Sequence, residues 1–358
     1  MKSSSYFHGG NHRELAKRYG LSPNEILDFS ANINPWTDSL GIEKIVTSNL
    51  KEIYHYPDPQ CTQLIKQISQ YLGVGRENIL AGNGSTELMY LAARALLPKR
   101  ALIFAPTFFE YERAIKACGG QPKFLFLKEN QGFSINIQKI IRATEDVEAV
   151  FICNPNNPTG TFFPKEKLLE LVKITEEREI TLILDESYLD FKHSGESLAE
   201  EAQGTRYLLV LRSFTKFFAI AGLRLGYGVG GGSVIEKMAH FKEPWTVNCL
   251  AQAVGAYLLR AQQKIKEIRE AVNKETEFLF GQLSRIGGLK SYPPEANFIL
   301  VRIETDLSSS KLREDLAQKG ILIRDCSNFT GLNDKFFRVA VRKREENLRL
   351  IDSLTKAI

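Results

Sequence analysis

The chain has 358 residues, of which 43% are hydrophobic and 25% charged, and its formal net charge is +5. This length suits about two folded domains, and the composition excludes disordered, collagen-like and coiled-coil proteins. Lys and Arg form no block dense enough to follow a nucleic-acid backbone, and no apolar stretch is long enough for a membrane span. We therefore expect neither nucleic-acid nor membrane partners, and the positive surplus favours acidic small molecules.

The cysteines and histidines indicate a reducing compartment and no metal. The five cysteines are scattered and include no C-x-x-C pair, which argues against disulfide frameworks and zinc ribbons. The N-terminal residues MKSSSYFHGGNHREL lack the apolar core of a signal peptide, so we expect a cytoplasmic protein. His8 and His12 have i, i+4 spacing, but glycines lie between them and there is no H-E-x-x-H motif, so no metal site is expected.

Apolar runs alternate with amphipathic stretches between residues 77 and 230. The runs predict buried parallel strands, and the 3.6-residue apolar period at 86–97 and 164–179 predicts crossover helices. The predicted strands are RALIFA (100–105), KFLFL (123–127), VEAVFIC (147–153), ITLILD (180–185) and YLLVLR (207–212). The centre of the chain is therefore predicted to be an α/β sandwich.

The C-terminal part has a different pattern. A charged run at 262–285 predicts a long, partly exposed helix that connects to a smaller α+β unit. The strands expected in that unit are ANFILVRI (296–303), ILIRD (321–325) and FFRVAVR (336–342), and its helices are expected at 309–320 and 345–357.

The segment RSFTKFFAIAGLRLGY (212–227) places Lys216 among aromatic and aliphatic residues. Desolvation there would lower the pKa of the amine and favour the neutral nucleophile that a Schiff base needs. The alternative is a surface lysine that extends past its aromatic neighbours to solvent. The neighbours favour the first interpretation, because Ser213 and Thr215 add hydroxyls and Arg224 adds a guanidinium suited to a phosphate.

Two further segments supply groups suited to a phosphorylated ring. ILAGNGSTELM (79–89) predicts a strand, a turn and a helix start, at which Gly84, Ser85 and Thr86 would present backbone N–H groups to an anion. ITLILDESYLDF (180–191) is an apolar strand that ends in Asp185, where open α/β sheets bind ligands. Its carboxylate could keep a pyridine nitrogen protonated. The alternative role for Asp185 is to cap a helix. A third segment, CNPNNPTG (153–160), is by itself only a proline-rich turn.

NPNNPTG, DESYLDF and SFTKFFAIAGLRLGY, in this order, resemble the signature of fold-type I pyridoxal-phosphate enzymes of the aspartate aminotransferase group. The resemblance implies pyridoxal 5'-phosphate as cofactor and an α/β fold, with a large domain around a mainly parallel seven-stranded sheet and a small α+β domain. We expect an N-terminal segment at 1–45 that contributes to the active site and the small domain. The large cofactor-binding domain is expected at 46–262 and the small C-terminal domain at 263–358.

The resemblance also implies roles for individual residues. The catalytic residues would be Lys216, which binds the cofactor covalently, Asp185, which pairs with the pyridine nitrogen, and Tyr188, which contacts the ring oxygen. The other cofactor-binding residues implied are Gly84, Ser85, Thr86, Phe108, Asn157, Ser213, Thr215 and Arg224, of which Phe108 stacks on the ring. Tyr56, in YHYPDP, matches a tyrosine that reaches the phosphate from the neighbouring subunit, which implies a homodimer.

Within the family, the chain resembles the L-threonine-O-3-phosphate decarboxylases of cobalamin biosynthesis essentially from end to end. The residues that carry this resemblance are HGGN (8–11), LDFSANINP (27–35) and Arg342 in RVAVR. The expected reaction yields (R)-1-aminopropan-2-yl phosphate, and histidinol-phosphate aminotransferase or a related aminotransferase is the alternative. By itself, HGGN is typical of a flexible turn, because paired glycines mostly occur in loops.

Five residues are expected to bind a small phosphorylated amino acid through its two anionic ends: His8, Asn32, Asn157, Arg324 and Arg338. Arg338 matches the arginine that binds the substrate α-carboxylate, a task suited to a bidentate guanidinium, and a structural ion pair is its alternative. The geometry at the substrate Cα decides between decarboxylation and transamination, and the residues leave that choice open.

Two other functions are less compatible with the sequence. A dinucleotide-binding dehydrogenase would need G-x-G-x-x-G in a βαβ unit that an acidic residue closes about twenty positions later. LGYGVGGGSVIEKM (225–238) has that glycine spacing at 226–231, but no acidic residue follows it in the right context. A pyridoxal-phosphate-sensing regulatory domain would need an attached nucleic-acid-binding module, for which the start of the chain at HGGN is expected to leave no room.

Overall fold

The computed structural model of the protein describes residues 8–96, 99–192 and 196–358. Residues 1–7 of the expected N-terminal segment, and residue 97 of the helix predicted at 86–97, lie outside the described residues. Within the described ranges, no helix combines the length and the apolar character needed to cross a membrane.

The N-terminal part consists of short elements. They are α1 (His12–Tyr19), β1 (Leu27–Asp28), α2 (Ile42–Ser48) and α3 (Thr62–Leu72). Helices α1 and α3 end at Gly20 and Gly73, whose left-handed backbone closes a helix at little steric cost.

The central part alternates strands with helices, as the apolar pattern predicts. Its elements are β2 (Ile79–Gly82), α4 (Gly84–Leu96), β3 (Arg100–Ala105), α5 (Glu110–Ala117), β4 (Gln121–Phe126), α6 (Ile137–Ala143), β5 (Ala149–Cys153), α7 (Lys165–Glu177), β6 (Thr181–Asp185), α8 (Ala199–Gln203), β7 (Leu208–Ser213), β8 (Gly226–Gly230), α9 (Gly232–Phe241) and α10 (Cys249–Leu258).

These strands form one seven-stranded sheet in the order β2-β8-β7-β6-β5-β3-β4. Strand β8 is antiparallel to both of its neighbours and the other pairs are parallel, which confirms the mainly parallel sheet. Strands β5, β6 and β7 are buried along their whole length, as continuous apolar runs require. The prediction of a buried strand at 123–127 is wrong: β4 is only partly buried because it lies at the sheet edge.

The C-terminal part packs helices against a second sheet. Its elements are α11 (Gln262–Leu283), β9 (Leu289–Ser291), β10 (Phe298–Ile303), α12 (Ser309–Ala317), β11 (Ile321–Leu322), β12 (Arg324–Asp325), β13 (Phe336–Ala340) and α13 (Arg344–Thr355). Strands β12-β13-β10-β9 form an antiparallel sheet in that order. The single strand predicted at 321–325 is wrong, because the chain changes partners at Ile323: β11 pairs with β1, whereas β12 pairs with β13.

The N-terminal segment contacts both larger parts of the molecule. Phe29 is fully buried in the C-terminal core, and its backbone oxygen accepts a hydrogen bond from Ala340 N at 2.8 Å. A few residues on, Asn34 N donates to the backbone oxygen of Lys216 at 3.0 Å. The segment therefore lies between the two sheets. The domain boundaries expected at residues 45 and 262 stay predictions.

Candidate active site

A cavity lies at the carboxyl ends of three neighbouring strands of the large sheet. Cys153, Asp185 and Ser213, the last residues of β5, β6 and β7, all line it. Because parallel strands end at the same edge, residues far apart in the sequence meet there. The empty space in and around the cavity, open solvent at its mouth included, is about 870 Å³.

Most of the residues singled out in the sequence line this one cavity. They are His8, Asn32, Ser85, Thr86, Phe108, Asn157, Asp185, Tyr188, Ser213, Thr215, Lys216, Arg224, Arg324 and Arg338. Gly84 lies next to it at the start of α4. Tyr56 is not among the lining residues: its side chain is 82% exposed and its ring lies 4.7 Å from the ring of Trp245.

Lys216 follows the end of β7 and lines the cavity rather than the outer surface. Removal of its amine from solvent, together with the positive charges of Arg338 and Arg224, lowers its pKa from 10.5 to about 8. The carboxylate of Asp185 opposes that shift. The amine is therefore much easier to deprotonate than an ordinary lysine, as a nucleophile at this position requires.

Asp185 is held by two hydrogen bonds inside the cavity wall. Its Oδ1 accepts from Ser187 N at 2.9 Å, and its Oδ2 accepts from the hydroxyl of Tyr111 at 2.7 Å. Burial raises the pKa of Asp185, while the hydrogen bonds and the charge of Lys216 oppose the rise. The bond to Ser187 closes a local turn, so Asp185 does not cap a helix.

A second group of polar side chains surrounds Tyr188, where residues of the central and C-terminal parts of the chain meet. The Tyr188 hydroxyl accepts a hydrogen bond from Asn32 Nδ2 at 3.3 Å, and burial raises the pKa of Tyr188 to about 12. Arg338 donates to Asn157 Oδ1 and, at 3.0 Å, to the backbone oxygen of Ser30. Among the described residues, Asn32 Oδ1 and Arg338 Nε are buried without a hydrogen-bond partner. These atoms remain available to a ligand.

The N-terminus of α4 and the Arg224 side chain form an anion-binding corner. Gly84 has a φ of +80°, and a Cβ there would lie 2.5 Å from Nη2 of Arg224, so only glycine allows this approach. Hydroxyl groups add further donors: Ser85 Oγ lies 3.3 Å from Ser187 Oγ. Backbone N–H groups at a helix start, hydroxyls and a guanidinium together suit a phosphate.

Two buried arginines line the cavity without a carboxylate partner. Arg324 donates to the backbone oxygen of Asp325 and, at 2.7 Å, to Asn328 Oδ1. Burial and the nearby charge of Arg338 lower the pKa of Arg324 to about 10. Neither guanidinium forms an ion pair with a carboxylate in the described part of the chain, so the structural ion pair considered for Arg338 is wrong. An anionic ligand would relieve their mutual repulsion.

Several lining residues were not predicted from the sequence. They are Gly9, Ser30, Ala31, Phe109, Tyr111, Cys153, Ser187 and Phe329. Tyr111 lies three residues after Phe108 at the start of a helix, a spacing that could have indicated a shared face. Phe329 lies in an irregular segment, and no local sequence signal indicates its position.

Comparisons with known proteins agree on one family. The model of the class I and II aminotransferase family matches residues 21–354. The threonine-phosphate decarboxylase of Salmonella typhimurium is 35% identical over 352 residues, which cover 98% of this chain and 96% of that protein.

Solved structures give the same result. The histidinol-phosphate aminotransferase from Clostridium acetobutylicum has a TM-score of 0.87 at 33% identity and covers 93% of this chain and 99% of its own. The L-threonine-O-3-phosphate decarboxylase from Porphyromonas gingivalis has a TM-score of 0.83 at 28% identity, with coverage of 92% and 98%. The predicted fold class is confirmed, and the chain belongs to the class I and II aminotransferase family.

Proposed function

We propose that the protein uses pyridoxal 5'-phosphate to decarboxylate L-threonine O-3-phosphate, and that the product, (R)-1-aminopropan-2-yl phosphate, serves cobalamin biosynthesis. The observation that carries the proposal is the pair of buried guanidiniums, Arg324 and Arg338, in the same cavity as Lys216 and Asp185. Two cations that have no carboxylate partner among the described residues suit a substrate that has both a phosphate and a carboxylate. The similarity to the two threonine-phosphate decarboxylases supports the choice of substrate.

The residues of the cavity fit the cofactor. Asp185 is a buried carboxylate whose pKa is raised, and a pyridinium nitrogen would supply the positive charge it lacks. The residues that would hold the phosphate are Gly84, Ser85, Thr86, Ser213, Thr215 and Arg224. Phe108 would stack on the cofactor ring, and Asn157 and Tyr188 would contact the ring oxygen. When bound, pyridoxal phosphate supplies a conjugated pyridinium that accepts electrons from whichever Cα bond is perpendicular to its ring.

The protein's own residues decide which bond that is. Arg338 donates hydrogen bonds to Asn157 and to the backbone oxygen of Ser30. Because these bonds fix its guanidinium, Arg338 is suited to hold the substrate carboxylate at a fixed angle. The remaining residues, His8, Asn32 and Arg324, line the same cavity and would surround the rest of the substrate. Lys216, with a pKa of about 8, can accept and return a proton at Nζ near neutral pH.

Carbon dioxide release tests this function directly. Purified protein with pyridoxal phosphate is given L-threonine O-3-phosphate with no keto acid present, and CO₂ and the amine product are measured. Stoichiometric CO₂ and aminopropanol phosphate would support decarboxylation. Keto-acid-dependent consumption of histidinol phosphate, with no CO₂ from threonine phosphate, would favour the aminotransferase to which the 33% identity with the Clostridium enzyme points.

We further propose that the active unit is a cytoplasmic homodimer in which Tyr56 contacts the neighbouring site. Tyr54 and Tyr56 are each 82% exposed in the single chain. Leu50, Ile53 and Trp245 expose large apolar side chains as well. Trp245 lies against Tyr56, and exposed aromatic and apolar side chains of this kind are typical of a surface that another subunit covers.

A further inference from the structure

Glu110, the first residue of α5, is a buried carboxylate with three side-chain donors. His8 Nε2 lies 3.1 Å from its Oε1, Arg113 Nη1 lies 2.6 Å from the same oxygen, and the Tyr90 hydroxyl donates to Oε2 at 2.8 Å. Burial alone would raise the pKa of Glu110, but hydrogen bonds from His8, Tyr90 and Arg113 lower it to about 2. Glu110 is therefore ionised at any working pH.

His8 connects this carboxylate to the cavity. Its ring lies 4.7 Å from the ring of Phe109 and 6.1 Å from that of Phe108, and its side chain lines the cavity. Glu110 itself is not among the described residues that line the cavity. Glu110 therefore does not itself contact a ligand in the cavity.

The residues after His8 are bound to Ser30, which also lines the cavity. Gly10 N donates to Ser30 Oγ at 2.9 Å, and the backbone oxygen of Ser30 accepts from Arg338. The segment 8–11 therefore runs from Glu110 on α5 to Ser30, which contacts the arginine proposed to orient the substrate. Among residues 8–11, the polar contact with α5 is the bond between His8 and Glu110.

We propose that Glu110 is a positioning residue that holds His8, and with it the segment 8–11, over the active site. Once Nε2 is bound to a carboxylate the imidazole orientation is fixed, as in the carboxylate–histidine pairs that orient metal ligands. Arg113 and Tyr90 fix the carboxylate in turn. The consequence for substrate binding rests on the proposed function.

The test compares Glu110→Gln in the wild-type background and in a His8→Ala background. Glutamine keeps the shape but removes the charge, so we expect the KM for threonine phosphate to rise about tenfold, while kcat and the absorbance of the bound cofactor change little. If Glu110 acts through His8, adding Glu110→Gln to His8→Ala changes KM by less than about twofold. Additive effects of the two substitutions would overturn the proposal, as would an unchanged KM in the single variant.

Glu112→Gln is the matched control. Glu112 lies on the same helix, and its carboxylate pairs with Lys116 rather than with residues 8–11. We expect this variant to keep the wild-type KM. A rise in KM equal to that of Glu110→Gln would mean that loss of any acidic residue on α5 has the same effect, and would overturn the proposal.

Hydrogen exchange supplies a readout that needs no substrate. We expect the Gly10 amide to exchange faster in Glu110→Gln and in His8→Ala than in wild type, with unchanged exchange in the central strands. Unchanged protection of Gly10 in Glu110→Gln would overturn the positioning role even if the substrate were a different one. If CO₂ release fails but Gly10 loses protection, only the proposed function is refuted.

Discussion

Lys216 is the residue whose chemistry depends most on its surroundings. Burial and two positive neighbours lower its pKa from 10.5 to about 8. In the unfolded chain the amine keeps its ordinary pKa, so between pH 8 and 10.5 the unfolded chain binds more protons than the folded protein. The contribution of this group to the free energy of unfolding therefore rises with pH across that window and is least favourable below pH 8.

The first prediction follows from that pKa. In cofactor-free protein, Lys216 should react with a small amine-acylating reagent with a half-point near pH 8, well below the value of about 10.4 for a lysine in a model peptide. Peptide mass spectrometry over a pH series measures Lys216 and an added lysine-containing reference peptide in one sample. Equal half-points for Lys216 and the reference peptide would contradict the account of the cavity.

A second prediction concerns the hydroxyl of Tyr111. Tyr111→Phe removes the hydroxyl that donates to Asp185 Oδ2, which leaves a buried carboxylate less satisfied, at a cost of about 1–3 kcal/mol. We expect pyridoxal phosphate to bind about tenfold more weakly, measured by absorbance titration of the cofactor-free protein. Tyr292→Phe, which removes a hydroxyl bonded to Glu129 outside the cavity, is the control. Equal affinity in both variants would show that Tyr111 has no such role.

The roles of site residues could be predicted where those residues belong to a local sequence motif. Asp185 and Lys216 each end or follow a buried strand, and short-range pattern is enough to recognise that placement. Tyr111 was not predictable in its role, because its partner lies 74 residues away in the sequence and only the folded sheet brings the two together.

At the scale of elements, the apolar runs predicted the central strands because those strands are buried on both faces. The edge position of β4 and the change of partner at Ile323 depend on which neighbours the folded chain supplies, and no local pattern contains that information. The helices α1 and α2 have only 8 and 7 residues, which is too short a stretch for a helical period to be recognised.

A substitution at Gly9 tests the placement of the segment 8–11. A Cβ on Gly9 would lie 2.2 Å from the backbone oxygen of Ser30, so Gly9→Ala must displace the segment. We expect a higher KM for substrate with little change in thermal stability, because few core contacts are lost.

The control for this prediction is Gly281→Ala in α11. A Cβ at Gly281 meets no atom within 4 Å, so alanine should be neutral or stabilise the helix by about 0.5 kcal/mol. Thermal unfolding and steady-state kinetics are measured on both variants. A Gly9→Ala protein with the wild-type KM would contradict the placement of the segment over the cavity.

At the scale of the whole molecule, the apolar side chains around Tyr56 stay exposed in the single chain. We expect light scattering to give twice the 40.4 kDa mass of one chain. Ile53→Glu, at a side chain that is 52% exposed, should leave the monomer folded and weaken the dimer. It should also weaken cofactor binding, because Tyr56 would no longer reach the neighbouring site. A monomeric wild-type protein with full cofactor affinity would contradict this arrangement.

The most direct test of the central claim is to locate the covalent link to the cofactor. Protein with bound pyridoxal phosphate is reduced with borohydride and digested, and the modified peptide is identified by mass spectrometry. We predict a single phosphopyridoxyl group on Lys216, lost in Lys216→Ala. The same label on another lysine, or its persistence in Lys216→Ala, would contradict the account.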